Sequence, residues 1–176
     1  MTPFELAAVA VTAAAAVCDL RTGHIPNWLT LGSLLGATVA HATLGAVAGG
    51  VSELLYRGGV ALLGVCVCAA VPMLIFWRGG MGGGDVKLFA ALGALCSARA
   101  GLLAELYSFV IAVAWVPVQL AYEGRLFRSL GNALVLLPNV FRPRSARRPL
   151  SAELATWIRL APAIFLGTVA MLILGR

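Results

Sequence analysis

What most limits the fold of this chain is a set of long apolar stretches separated by short breaks that carry its charge. Six such runs stand out, roughly Phe4–Cys18, Pro26–Val47, Gly59–Trp77, Val86–Ala98, Leu102–Tyr122 and Trp157–Leu174. About 20 residues suffice for one helical crossing of a bilayer. Only 11% of the residues are charged and 61% are hydrophobic, whereas a soluble domain carries about a quarter of charged residues. With a mean hydropathy of +0.95, the chain has too little polar surface to cover itself in water. The expected fold is all-α, a polytopic membrane protein of about six transmembrane helices. No internal repeat or linker divides it, so residues 1–176 are read as one domain.

The cations orient such a bundle. With the N-terminus outside, the first, third and fifth connections and their flanks hold Arg21, Arg78, Lys87, Arg125, Arg128, Arg142, Arg144, Arg147, Arg148 and Arg159, leaving only Arg57, Arg99 and Arg176 on the other side. That bias is a positive-inside signal. Trp28, Trp77 and Trp157 fall at the same cytoplasmic ends, where interfacial anchors belong. The net charge of +6 is then topology and contact with anionic lipid, and no nucleic-acid partner is expected. The apolar N-terminus lacks a preceding basic residue and is read as a retained first span. The longest connection, 123–156, places Leu126, Leu130, Leu134, Leu137 and Phe141 on one helical face ahead of the basic run RPRSARRP. An amphipathic helix lying in the interface is expected there. Cys18, Cys66, Cys68 and Cys96 form no C-x-x-C pair, so small buried hydrophobes are expected and no metal site.

The chain has two aspartates, Asp19 and Asp85. Asp19 ends the first run and Asp85 begins the fourth, so a topology drawn from the cations alone puts both at the cytoplasmic end. Two carboxylates a few ångström apart do not both ionise easily and tend to share a proton, which equips one as base and the other as acid. The titration belongs to the pair, so neither role is assigned to one residue. Ahead of Asp85, Gly82, Gly83 and Gly84 are expected to permit unusual backbone angles and close approach of an extended peptide. Lys87 is placed to act on the site electrostatically, or to snorkel to the interface. Singly, Asp85 also reads as a helix N-cap and Asp19 as an interfacial partner of Arg21. His24 is near Asp19 in sequence, and His41 is given no role.

The stretch MGGGDVKLFAALGAL resembles the G-x-G-D-x-K-L signature of the type IV prepilin peptidases, with Gly82, Gly84, Asp85 and Lys87 at the signature positions. CDLRTGHIPNWLT resembles that family's first active-site segment, an aspartate followed by Ile-Pro-Asn, here Asp19 and Ile25, Pro26, Asn27. RLAPAIFLGTVA is similar to its proline-containing last helix, with Pro162 and Gly167. The resemblance implies an intramembrane aspartyl endopeptidase of the bacterial cytoplasmic membrane. Such an enzyme removes the leader of prepilins at the cytoplasmic face, with Asp19 and Asp85 as the catalytic pair and Gly82–Gly84 lining the cleft. It also implies that Ile25, Pro26 and Asn27 turn the chain and hold Asp19. Pro26 by itself suits the first turn of a helix. Bifunctional members carry an insertion with paired C-x-x-C zinc ligands, tied to methylation of the new N-terminus. Here only Leu20 to Ile25 joins the first two runs. The chain thus resembles the short, peptidase-only branch serving Flp pili, with no cofactor, metal or S-adenosylmethionine expected.

The expected partners are the prepilin substrate, membrane lipid and the pilus assembly machinery. Two readings from other classes compete: a small proton-coupled transporter, and a non-catalytic subunit of a pilus or secretion assembly. Transporters usually bury carboxylates near the midplane of repeated halves, whereas both aspartates here belong to one end. A peptidase acting on preflagellins would use the same residues.

Overall fold

The computed structural model describes residues 1–122, Gly124 and 159–175, and every described element is helical. The first helix, α1, spans Pro3–Thr22. It opens on a capping box: Thr2 N–H donates to Glu5 Oε2 at 2.7 Å and Glu5 N–H donates to Thr2 Oγ1 at 3.2 Å. It closes at Gly23, whose φ of 66° is the left-handed cap that glycine adopts readily. Helix α2 spans Asn27–Trp77, α3 spans Gly83–Tyr122 and α4 spans Ala161–Leu174.

Length alone shows that α2 is not one rod. Its 51 residues would stretch to about 75 Å if straight, over twice a bilayer's hydrocarbon core. The helix is broken at Gly49 (φ −155°) and Gly50 (φ 71°, ψ −151°), and the two arms fold back on each other. A Cβ placed on Gly45 would strike the backbone of Glu53, and one on Gly58 would touch Ala42. Helix α3 reverses in the same way at Ser97 (φ 72°, ψ 164°), bringing Gly101 against Gly93. The arms pair through glycine elsewhere too: a Cβ on Gly64 would overlap the Gly93 carbonyl, and a Cβ on Gly93 that of Gly64. Such close backbone approach is how helices pack where lipid removes the hydrophobic drive to associate.

Side-chain size is sorted accordingly. The core gathers small residues, among them Ala8, Ala15, Ala16, Ala37 and Ala94, around Leu88, Phe89, Leu92 and Ile164. Leu35, Val39, Val47, Val51, Leu55, Val113 and Ile173 point outward. Hydroxyls within the helices return to their own backbone: Thr12 donates to the Ala8 carbonyl at 2.8 Å, Ser33 to Leu29 at 2.6 Å and Thr168 to Ile164 at 2.8 Å. Little polar hydrogen-bonding capacity is left facing outward.

Among the described residues, three helices, α1, α2 and α3, are long and apolar enough to cross a membrane. The described part of the protein is thus all-helical with membrane-span-capable helices. The break at Gly49–Gly50 falls between the second and third apolar runs of the sequence, whereas that at Ser97 falls inside the expected fourth run, one residue before its end. Two boundaries differ from expectation. Helix α3 begins at Gly83, so Asp85 sits within its first turn and does not precede it. Pro26 is the N-cap of α2, one residue ahead of the first turn, with its carbonyl accepting from Leu29 N–H at 3.1 Å. Apart from Gly124, the connection 123–156 lies outside the described residues.

Candidate active site

One end of the bundle collects the C-terminus of α1 and the N-termini of α2, α3 and α4. Asp19 lies in the last turn of α1 and is 7% exposed. Its Oδ2 accepts a hydrogen bond from Ala161 N–H at 3.3 Å. Ala161 is the first residue of α4, so the carboxylate faces the positive end of that helix's dipole. Arg159 and His24 lie close enough to add positive charge beside it.

Asp85 is likewise 7% exposed. It occupies the first turn of α3, where the backbone N–H of Gly82 faces its carboxylate. The Asp19 carboxylate acts electrostatically on it. Two acids separated by 66 positions in sequence are thus both buried and near enough to act on each other electrostatically, each at a helix N-terminus: Asp85 at that of α3, Asp19 at that of α4.

The turn that carries Asp19 is pinned from both sides. Thr22 Oγ1 lies 2.8 Å from the Cys18 carbonyl, to which it donates, and 3.1 Å from that of His24. Ile25 is buried and stands against Gly84, where a Cβ would come within 3.3 Å of it. Lys87 Nζ donates to Asn27 Oδ1 at 2.7 Å across 60 positions of sequence. The Ile-Pro-Asn turn and the glycine-rich entry to α3 are therefore one joined structure. Lys87 is spent on that latch; among the described residues it makes no ion pair with either aspartate.

The glycines act otherwise than expected. Gly82, Gly83 and Gly84 do not take left-handed angles; in this loop only Gly79 does, at φ 78°. It closes α2 by donating to the Phe76 carbonyl at 2.8 Å. Gly83 and Gly84 are helical and serve by their missing side chains, leaving room for Phe76 and Ile25.

Elsewhere, His41 stacks on Phe4 with centroids 3.8 Å apart, and Glu53 pairs with Arg57 at 2.8 Å. All four cysteines are free. Among the described residues no three His, Cys, Asp or Glu side chains gather as metal ligands would. Sequence reasoning missed the Ala161 N–H and placed Arg159 only among the cytoplasmic cations, not beside Asp19. The signal was Pro162, a residue favoured in the first helical turn, which marks where free N–H groups gather.

The described residues form a helical bundle of apolar, membrane-span-capable helices with two buried acids at one end. The chain matches the type IV leader peptidase family over residues 6–116, well over half its length, and belongs to that family. The matched stretch contains both aspartates, Asn27 and Lys87. No curated protein and no solved structure matches the chain.

Proposed function

We propose that the protein is an intramembrane aspartyl endopeptidase that removes the N-terminal leader of Flp-like type IV prepilins without methylating the product. It works at the cytoplasmic face of the bacterial inner membrane, with its N-terminus outside. The observation that carries this reading is that Asp19 and Asp85, the chain's two aspartates, are both buried at one end of the bundle and close enough to interact electrostatically.

In the cycle, the pair holds one proton and a water between its carboxyl groups. The ionised member takes a proton from that water as its oxygen bonds to the scissile carbonyl carbon. The protonated member gives its proton to the carbonyl oxygen, producing a neutral gem-diol. Collapse returns one hydroxyl proton to the pair, the C–N bond breaks, and the departing nitrogen is protonated. One water is consumed and the pair ends as it began. The α4 N-terminus, through Ala161 N–H, orients Asp19 during these transfers. The Lys87–Asn27 latch keeps the Asp85 turn against the Asp19 turn, and Gly83 and Gly84 let Phe76 and Ile25 pack against the entry to α3. The shared proton requires only that the two groups interact strongly, so either aspartate can begin as the base.

The test is leader removal from a co-expressed Flp-type prepilin, read by gel shift and N-terminal sequencing. Wild type cleaves; Asp19→Asn and Asp85→Asn, at equal protein level, do not. Cleavage surviving in either variant removes that residue from the mechanism. A wild-type protein that cuts no prepilin in a panel would favour the transporter or the non-catalytic subunit.

A further inference from the structure

The inner face of α3 beyond its break carries the buried residues Gly101, Ala104, Glu105, Ser108 and Ala112. Leu106, Val110, Val113 and Val118 face outward. Trp115 continues that inner face one turn after Ala112. Its indole Nε1 is sealed from solvent and has no hydrogen-bond partner among the described residues. A buried N–H left unpaired is costly, so it calls for an explanation, and a bound ligand is one.

Two registers fix the depth of Trp115. Ser108 lies against Ile164 and Gly167, and Ala104 clusters with Met171 and Leu172, so α3 and α4 run antiparallel there. Counting along both, Ala112 falls level with Ala161, the residue that holds Asp19, and Trp115 lies about 4–5 Å beyond. Independently, Phe89 faces Phe109 across the Ser97 reversal, centroids 5.6 Å apart. Counting outward from that pair brings Asp85 level with Val113, with Trp115 about 3 Å beyond. Both routes put the unpaired N–H just past the carboxylates, on the side away from the bundle's far end.

We propose that Trp115 is a positioning residue whose indole N–H donates to a backbone carbonyl of the substrate's leader, on the N-terminal side of the scissile bond. This rests on the peptidase reading and its orientation. In that orientation the hydrophobic pilin segment lies in the bilayer side of the cleft, and the leader lies on the cytoplasmic side of the aspartates, the side on which the register places Trp115. A peptide carbonyl is an acceptor that every leader presents regardless of sequence. The contact therefore sets register along the cleft and not residue preference.

The test replaces the N–H while keeping the ring, by Trp115→Phe and by 3-benzothienylalanine introduced at position 115. The substrate is a synthetic Flp-type prepilin peptide covering the leader and the first turns of the apolar segment, cleaved in detergent micelles. Thioamides, which accept hydrogen bonds poorly, replace its leader amides one at a time. Both enzyme variants should raise KM about three- to tenfold with kcat within about twofold, the size of one neutral hydrogen bond made equally in ground and transition states. Their Tm should hold or rise, because an unpaired donor has been removed. One thioamide position should weaken binding to wild type by a similar factor and leave the benzothienyl enzyme unaffected. Wild-type KM in the benzothienyl enzyme, a fall in its Tm, or no thioamide whose cost vanishes in it would overturn the proposal. Asp19→Asn and Asp85→Asn run alongside: if they cleave, the aspartyl mechanism fails, whatever Trp115 does.

Discussion

At the scale of single residues, the site is a pair of acids held by backbone and not by other acids or metals. Both carboxylates face helix N-termini, and in the proposed mechanism they share one proton. The cleavage rate should therefore follow a bell in pH. At low pH both groups are protonated and no base remains; at high pH both are ionised and no acid remains. A rate that rises to a plateau with no alkaline limb, measured on purified enzyme and peptide, would leave a single carboxylate at work. Asp19→Asn and Asp85→Asn should each lose about 10²–10⁴-fold, the range for a general acid or base. The Lys87–Asn27 latch makes a different forecast. Lys87→Met and Asn27→Ala should each slow cleavage by about tenfold or less, and the double variant no further, because both remove the same bond. Additive losses in that cycle would separate the two residues. The aspartates were legible in the sequence because an apolar chain has so few acids to place. The Lys87 bond was not: snorkelling and electrostatic help are what a cation near an interface ordinarily offers, and a partner 60 positions away has no local signature. Nor did the sequence reveal Ala161, since a backbone N–H has no residue type to announce it.

At the scale of elements, the helices owe their folding-back to a few backbone positions. The apolar runs and their breaks were readable from hydrophobicity, and the reversal at Gly49–Gly50 suits residues without Cβ atoms. Ser97 was less legible. Its φ of 72° with ψ of 164° is a region almost reserved for glycine, and serine there costs about 1–3 kcal/mol. Ser97→Gly should relieve much of that and raise Tm in detergent; an unchanged or lower Tm would mean that the hydroxyl earns the strain back. Glycines at helix contacts predict the reverse. Gly64→Ala and Gly93→Ala each force a methyl into a facing carbonyl and should destabilise by about 1–3 kcal/mol. Gly32→Ala, where a Cβ meets nothing within 4 Å, is the control and should leave Tm unchanged or slightly higher. Sequence alone does not rank these glycines, because the ranking depends on which arm each one faces. Gly83 and Gly84 make the same point: their value lies in what Phe76 and Ile25 occupy, not in the angles their type permits.

At the scale of the whole molecule, the question is which way the bundle lies in the membrane. The acids and the four helix termini gather at one end, and the reversals at Gly49–Gly50 and Ser97 lie at the ends of arms that lead away from it. The proposed orientation, drawn from the cations of the sequence, has the acid-bearing end in the cytoplasm. Surface cysteines test this directly. In a background with Cys18, Cys66, Cys68 and Cys96 replaced and cleavage retained, single cysteines are placed at Ser52, exposed beside the α2 reversal, and at Arg78, exposed at the α2–α3 turn. A membrane-impermeant maleimide added to spheroplasts should label Ser52→Cys and spare Arg78→Cys until the membrane is opened. Arg78→Cys removes one of ten cytoplasmic cations, which leaves the bias intact. The opposite labelling would turn the catalytic end outward and sink the proposed cytoplasmic cleavage. Labelling of both from outside would mean that these two turns do not lie on opposite faces, so the second arm of α2 does not cross. Only the first pattern lets a prepilin keep its apolar segment in lipid while its leader reaches Asp19 and Asp85 from the side where it was made.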